Sequence, residues 1–574
     1  MATEQKIKKQ KTVNKTKWYM RWTTVFIFTT LAMILLFAWS EQEIETIQPS
    51  ENWSIGVKID EGLPTDYRLI GQSILPDDKG LAIAYVDSQN LHITTYDWYG
   101  KKQKKQSYNM DLGIPFSDVK VVKLTSNASD LVLYYSDRQS LNRILINPNT
   151  LELEPYTTIS EHSEQFDAEG MVVLAGDDTI LEIYEDETKL ATYEGYENLR
   201  RVSLSKTDQM IIAAFNAADG GRILTYKDGT LNDRFVMDVA SQRTYGHFKD
   251  IFLQEGVLTL VSSVYDHLSP GAPTVLGVWQ LEAETLDEIS FKLFYHVRTS
   301  LDPVITNVEG NQVSYILGTQ QTIDTVNKGI SRYPQTKGGL FTNVSLFTRE
   351  EDQLIENTRI TLTRQYPVGY EIFEAPFGNV LTWADKVEGK STILMAGKGP
   401  EWIAYANANY DINYLELVAA ALLSMGNTLF FGIISLLISL SPYNYYILGV
   451  GILAILFKRF APLEDRQKSK VIMMGMMIFV MGLKAVLITS PNSDYRLFAH
   501  IYPWLFGNTA MLLSVSILTS AISLLMFWLW KKQHYYYTNR FMQFSVFFGF
   551  ELYLFLMTIM TFFVSALMKN NFMM

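Results

Sequence analysis

Two ionisable residues lie inside strongly apolar stretches of this 574-residue chain, where an isolated charge is costly. Lys484 stands in VMGLKAVLI and Glu551 in FFGFELYLF. A charge placed in hydrocarbon costs roughly 2.5–3.5 kcal/mol on insertion scales, so such groups face a polar interior or a partner. We predict that the two side chains approach one another or line a polar cavity. The alternative is that Lys484 extends to the membrane surface and Glu551 is protonated or bonded to polar side chains.

A Gly-Asn-Thr triplet opens two Leu/Ser-rich stretches and is the second polar feature. Asn427 and Asn508 are its central residues. Amide and hydroxyl groups bond across helices and glycine permits close approach, so both asparagines are candidate helix–helix contacts or marks of a duplicated unit. Coincidence in a biased composition explains the match equally well.

Motifs for catalysis or cofactor binding are missing from the sequence. The absence of cysteine excludes disulfides, thiolate metal sites and cysteine nucleophiles. The seven histidines form no metal-type pair, and no P-loop, G-x-S-x-G or zinc-protease motif occurs. Asp177 and Asp178 offer oxygen ligands of the kind calcium prefers, although a hairpin turn explains them as well. We expect no cofactor and no enzymatic activity.

The apolar stretches that carry these residues have the length of membrane helices. Residues 23–39 form one uncharged stretch near the N-terminus. Five more follow position 411, at 415–440, 443–457, 471–490, 501–530 and 541–568. Aromatic residues crowd their ends, as is typical of membrane interfaces. We predict a signal-anchor helix at 23–39 and a helical membrane domain over 411–574.

The N-terminal tail, residues 1–22, predicts the orientation of the chain. It contains one acid, Glu4, and seven basic residues: Lys6, Lys8, Lys9, Lys11, Lys15, Lys17 and Arg21. The positive-inside rule makes this tail cytoplasmic, where its cations would also bind anionic lipid, and the chain emerges outside. A cleaved signal peptide is the alternative.

The orientation of the last three helices is left open by the same rule. With six spanning helices, the basic loops 458–470 and 531–540 would lie outside, against the rule. If residues 443–457 form a re-entrant or interfacial segment instead of a spanning helix, both loops lie inside.

The middle of the chain, residues 40–410, changes to short apolar strands separated by Gly, Asp and Asn turns. A strand–turn–strand unit recurs seven times: Leu81–Val86 with Leu91–Tyr96, Leu131–Tyr135 with Arg143–Ile146, Met171–Ala175 with Leu181–Tyr184, Ile211–Phe215 with Arg222–Tyr226, Val257–Val264 with Val275–Leu281, Val313–Leu317 with Phe341–Phe347, and Val380–Ala384 with Ser391–Met395. This repeat resembles the β-propeller fold and implies an all-β propeller of seven four-stranded blades. A pair of β-sandwiches is the structural alternative. The resemblance is at the level of the fold, and no functional residue is carried over from it.

The charge distribution bears on the partners of the protein. The chain has a formal net charge of −11 although both ends are net basic, so the middle domain is strongly acidic and repels nucleic acid. Five helices beyond the anchor are more than tethering requires. We predict a bacterial-type multi-pass cell-membrane protein whose extracytoplasmic propeller binds a ligand or protein and whose bundle docks with another membrane complex, such as a transporter. Two alternatives are solute transport or channel activity of the bundle through Lys484 and Glu551, and an extracytoplasmic cell-wall hydrolase or lyase.

Overall fold

The computed structural model describes most of the chain between residues 21 and 562. The described ranges are 21–46, 49–109, 118–294, 304–320, 342–410, 466–489, 502–534 and 540–562, with short gaps inside some of them, together with scattered positions between 414 and 455. The chain divides into two compact units. One runs from Ile47 to Pro334 and from Leu340 to Tyr410, and the other contains the N-terminal helix and the C-terminal helices.

The first unit contains, within the described residues, seven four-stranded antiparallel sheets. Sheets 1 to 3 contain β2 Ile70–Ile74, β3 Gly80–Val86, β4 Asn90–Asp97 and β5 Lys102–Asn109; β6 Val121–Ser126, β7 Leu131–Ser136, β8 Leu141–Ile146 and β9 Thr157–Ser160; and β10 Gln165–Glu169, β11 Val172–Gly176, β12 Ile180–Glu185 and β13 Thr188–Glu194.

The remaining sheets follow the same up-and-down order, except that the last one borrows a strand from the start of the chain. Sheets 4 to 7 contain β14 Arg200–Lys206, β15 Ile211–Ala217, β16 Gly220–Lys227 and β17 Thr230–Asp238; β18 Thr244–Gln254, β19 Val257–Asp266, β20 Val275–Glu282 and β21 Glu288–Phe294; β22 Val304–Glu309, β23 Gln312–Gln320, β24 Thr342–Glu350 and β25 Gln353–Arg359; and β26 Pro367–Ala375, β27 Gly378–Val387, β28 Lys390–Gly397 and β1 Val57–Leu63.

This arrangement is a β-propeller. The first strands of successive sheets contact one another from β2 through β6, β10, β14 and β18 to β22, and β26 contacts sheet 6 and a 3-10 turn, Tyr67–Leu69, that directly precedes β2. The chain of contacts therefore runs around a ring, with the first strand of each sheet innermost. The sandwich alternative is wrong. A sandwich distributes consecutive strands between two facing sheets, whereas here each sheet is formed by its own run of consecutive strands, apart from the exchanged β1.

Each of the seven predicted strand pairs corresponds to the second and third strands of one sheet. These strands are apolar because both faces of a middle strand pack against neighbouring sheets. All residues of β3 and β7 are buried, for example. The outer strand β5, with the sequence KQKKQSYN, is almost wholly exposed, and lysines on such an edge disfavour pairing with other chains.

The ring is closed by the N-terminal strand. β1 pairs antiparallel with β28 and forms the outer strand of sheet 7. The preceding residues strengthen the closure, because Ser54 N donates to Gly397 O, Gly397 N donates to Ser54 Oγ at 3.1 Å, and Gly399 N donates to Asn52 O. Gly397 is required there, since a Cβ atom would lie 2.1 Å from the ring of the fully buried Trp402.

Six α-helices have described limits: α1 Trp22–Thr46, α2 Pro400–Asn409, α3 Arg466–Thr489, α4 Pro503–Phe506, α5 Thr509–His534 and α6 Arg540–Phe555, which continues as a π-helical turn, Leu556–Met560. The scattered described positions between 414 and 455 are also helical. α2 belongs to the propeller unit and the others to the helical unit. α1, α3, α5 and α6 are long and apolar enough to cross a membrane.

The helix limits differ from those predicted. α1 continues to Thr46, beyond the predicted 23–39, because Glu and Gln residues after the apolar stretch favour a helix, and the propeller unit accordingly starts at Ile47 rather than at position 40. α3 begins at Arg466, inside the predicted loop 458–470. The predicted helix 541–568 begins at Arg540, and the part of it after residue 562 lies outside the described residues. The predicted helices 415–440 and 443–457 lie mostly outside them.

The predicted span 501–530 is two helices rather than one. The short α4 ends at Phe506, and α5 starts at Thr509 after a break at Asn508. Asn508 Oδ1 accepts hydrogen bonds from Ala510 N at 3.0 Å and Met511 N at 3.2 Å, which is N-capping geometry. An asparagine in this role starts a new helix, which explains the break.

Candidate functional site

A polar cluster in the middle of the helical unit contains both ionisable residues that the sequence places in apolar stretches. Lys484 of α3 donates a hydrogen bond from Nζ to Oε1 of Glu551 on α6. Their side chains are 2% and 0% exposed. The two residues therefore neutralise one another inside the protein, which is how buried charges are tolerated. Lys484 does not extend to the surface.

Hydroxyl groups of α5 complete this cluster. Lys484 Nζ donates to Thr519 Oγ1 at 3.0 Å, and Ser520 Oγ donates to Glu551 Oε1 at 2.7 Å. Three helices thus meet at one set of polar atoms, which we call the polar node: Lys484, Thr519, Ser520 and Glu551. Glu551 Oε2 is buried and has no hydrogen-bond partner within the described part of the chain.

The polar node lies between two apolar clusters. One contains Met473, Met476 and Val480 of α3 with Phe544 and Phe547 of α6. The other is formed by residues from the opposite ends of these helices and from neighbouring helices: Phe37, Ile488, Tyr502, Leu505, Phe506, Leu512, Phe555, Leu556, Ile559 and Phe562. Apolar packing on both sides keeps the node away from solvent at either end of the helices.

α6 also contacts the N-terminal helix. Tyr553 stacks on Phe26 of α1 with ring centroids 4.5 Å apart, and its hydroxyl hydrogen-bonds Thr30 Oγ1 at 2.8 Å. α1 therefore packs as a member of the helical unit. One turn after the node, α6 changes to π-helical geometry, and Thr558 Oγ1 donates to Leu554 O at 2.6 Å there. Such turns are frequent at functional sites.

The propeller has a second charged cluster at its centre. Lys123, Asp167, Asp250 and Glu371 come from the first strands of four different sheets, and Lys123 forms an ion pair with Asp167. Burial alone would lower the pKa of Lys123, but the carboxylates of Asp167, Glu371 and Asp250 raise it. Burial raises the pKa of Glu371 to about 7, an effect that Asp167 increases and Lys123 opposes.

Side chains of β10 in the same region bond to the exposed backbone of β14. Asp167 Oδ2 accepts from Leu204 N at 2.8 Å and Glu169 Oε2 accepts from Lys206 N at 2.8 Å. Gln165 Oε1 accepts from Arg201 N at 3.0 Å. The polar residues of this inner strand therefore join sheets 3 and 4 as well as supplying charge to the channel.

The remaining predicted residues have other roles or cannot be placed. Asp177 Oδ1 accepts from Thr179 N and Ile180 N, so it forms a hairpin turn, and Asp178 follows it in the same turn. Asn508 caps α5. Asn427 and the six tail lysines, Lys6, Lys8, Lys9, Lys11, Lys15 and Lys17, lie outside the described residues; Arg21 is exposed just before α1. No group of three or more His, Asp or Glu side chains that could hold a metal ion occurs in the part of the chain that the structure describes.

Sequence reasoning missed several residues of both clusters. Thr519 and Ser520 were not identified because hydroxyl residues are common in apolar helices and normally bond to their own backbone. Lys123, Asp167 and Glu371 lie far apart in the sequence and meet only through the ring. The sequence feature that could have identified these three residues is a charged side chain within a short strand that otherwise packs between sheets.

Comparisons with known proteins show likeness in the fold alone. No family model and no curated protein matches the chain. Among solved structures it is similar to the N-terminal domain of Nup159, at 11% identity and a TM-score of 0.36, covering 62% of this chain and 98% of that one. The propeller domain of the Trilobed protease from Pyrococcus furiosus gives 8% identity, a TM-score of 0.33 and coverage of 60% and 94%. An oligogalacturonate lyase in complex with manganese gives 11%, 0.34, and coverage of 62% and 100%.

Breaking the ion pair of the polar node should destabilise the helical unit. Lys484→Leu leaves Glu551 buried without its cation, at an expected cost of about 3–5 kcal/mol. The double variant Lys484→Leu/Glu551→Leu removes both charges and should recover most of that loss, because an apolar pair of similar volume is nearly neutral. Unfolding of the full chain in lipid nanodiscs measures both. Equal destabilisation by the single and double variants would contradict the account.

The pKa of Glu371 predicts a pH-dependent stability of the propeller. Because the folded pKa of about 7 exceeds the ordinary value of 4.5, the folded state holds the proton more tightly, and the unfolding free energy falls as pH rises from about 4.5 to 7. Glu371→Gln should therefore be more stable than wild type at pH 8, by roughly 1–3 kcal/mol, and show less difference at pH 5. Chemical unfolding followed by tryptophan fluorescence tests this.

The matched control is Glu374→Gln, which removes an exposed carboxylate from the same strand. This control separates the specific effect of neutralising Glu371 from the general effect of removing one negative charge from the strand. A pH-independent difference between Glu371→Gln and wild type would show that Glu371 does not titrate in this range.

Proposed function

We propose that this chain is a non-enzymatic, multi-pass membrane protein of a bacterial-type cell membrane that holds a seven-bladed propeller on the extracytoplasmic side. The propeller binds a ligand or protein, and the helical unit docks with another membrane complex, for which a transporter is our leading candidate. The observation that carries this proposal is the outer surface of the helical unit, which is apolar and unusually extensive for a tether.

The outward side chains support docking within a membrane. On α3 they include Val471, Ile478, Phe479 and Val486, each more than half exposed. α1 presents Phe28 in the same way. An aqueous environment would penalise this much exposed apolar surface, whereas lipid or the helices of another membrane protein would accept it.

The charge distribution supports the orientation. Basic residues precede α1, and acidic residues follow its apolar part. By the positive-inside rule α1 is an uncleaved signal anchor with its N-terminus in the cytoplasm, where the basic tail contacts anionic lipid. The hydrogen bond between Tyr553 and Thr30 supports a role for α1 inside the helical unit.

The centre of the propeller supports recognition. Propellers present binding surfaces at the ends of the channel, and the centre of this propeller contains partly buried charged residues from four sheets. Its net negative character suits a cationic group on a ligand or partner protein. A fold does not establish a function. Recognition of a cationic group is therefore inferred from the charged residues and not from the propeller fold.

Solute transport by the helical unit is the second candidate. The unpartnered Oε2 of Glu551 favours it, because a buried carboxylate oxygen is a possible ligand for a passing solute. Against it, apolar clusters flank the polar node on both sides. Loss of flux in reconstituted vesicles on Glu551→Gln, with assembly intact, would support this alternative.

Photo-cross-linking in native membranes tests docking. Benzoylphenylalanine at Phe28 or Phe479, 60% and 52% exposed, should form adducts with subunits of another membrane complex. The control is the same substitution at Phe547, which is 0% exposed and should cross-link only within the chain. Isolation of the protein alone, or only with copies of itself, from both outward positions would overturn the docking proposal.

A further inference from the structure

The polar node has one hydrogen-bond acceptor and one donor left over. Glu551 Oε1 accepts from Lys484 and Ser520, but Oε2 has no partner in the described structure. A lysine ammonium has three donors, and Lys484 uses two of them, toward Thr519 and Glu551. Both unused groups belong to the same ion pair, and both side chains are at least 98% buried.

Leaving these groups unpaired is expensive. A buried polar atom without a partner costs about 1–3 kcal/mol, and more if it is charged. The hydroxyls nearby cannot supply the missing bonds, since Ser520 already donates to Oε1 and Ser523 donates to Thr519 O at 3.0 Å. Thr519 likewise donates to Ser516 O. Protonation of Oε2 leaves two donors unpaired, because the added O–H would need an acceptor and the third N–H of Lys484 would still have none.

We propose that the polar node binds one internal water molecule. A single water would donate one hydrogen to Glu551 Oε2 and accept the third N–H of Lys484, so it pairs both groups and leaves one donor, its own second O–H, to be accommodated. Internal waters typically make about three hydrogen bonds to polar groups that would otherwise be unpaired. This inference does not depend on the proposed docking function.

Radiolytic hydroxyl labelling of the full chain in nanodiscs tests the site, because a buried side chain is oxidised only when a bound water beside it is the source of the radical. Phe547 and Leu554 lie within one helical turn of Glu551 and are fully buried. We expect oxidation at one or both. Met473, which is also buried but lies about three helical turns before Lys484 on α3, is the internal control and should remain unlabelled despite its more reactive sulfur.

The variant control is Lys484→Leu/Glu551→Leu, which removes both polar groups while keeping an apolar core. Labelling at Phe547 and Leu554 should be lost in this variant. The proposal is overturned if neither residue is oxidised in the wild type, or if oxidation persists unchanged in a folded double variant. Labelling of Met473 at the same level would mean general water entry and would equally exclude a specific site.

Discussion

Closure of the propeller ring by β1 is the interaction on which the rest of the structure depends. The strand follows α1 in the chain, and its partner β28 leads into α2 and then toward the C-terminal helices. Sheet 7, which has to be completed for the ring to exist, therefore contains both the strand that follows α1 and the strand that precedes α2. Without disulfides, closure relies on strand hydrogen bonds, on the Ser54–Gly397 contacts and on Trp402 packed against a glycine. The strand that completes the propeller is thus the first strand after the N-terminal helix in the chain.

A related constraint acts in the helical unit, where charge has to be matched inside an apolar environment. Lys484 and Glu551 satisfy this requirement with help from two hydroxyls of a third helix. The pair fixes the register of α3, α5 and α6 more specifically than apolar contacts alone, since sliding one helix by a turn would separate the charges. In the propeller, by contrast, the charges at the centre combine Lys123 with several carboxylates, and Glu371 there retains the capacity to titrate.

The sequence predicted the parts of the fold that have a strong local pattern. The second and third strands of each sheet were found because they are apolar runs joined by tight turns, whereas β10, with the sequence QFDAE, was missed because its polar residues bond to another sheet. The approach of Lys484 to Glu551 could be predicted because unpaired charges are costly in apolar helices. Their hydroxyl partners could not, and Asn508 was assigned to a contact between helices although it caps one. These roles depend on where a helix begins and on how helices are rotated, neither of which composition specifies.

The side of the membrane on which the propeller lies tests the central claim most directly. Because the chain has no cysteine, a single introduced cysteine is a unique label. Thr188→Cys places it in an exposed hairpin of the propeller, and Thr3→Cys places it in the basic tail. In intact cells, a membrane-impermeant maleimide should label Thr188→Cys and leave Thr3→Cys unreacted until the membrane is opened. Labelling of Thr3→Cys alone, with Thr188→Cys protected, would put the propeller in the cytoplasm and contradict the account.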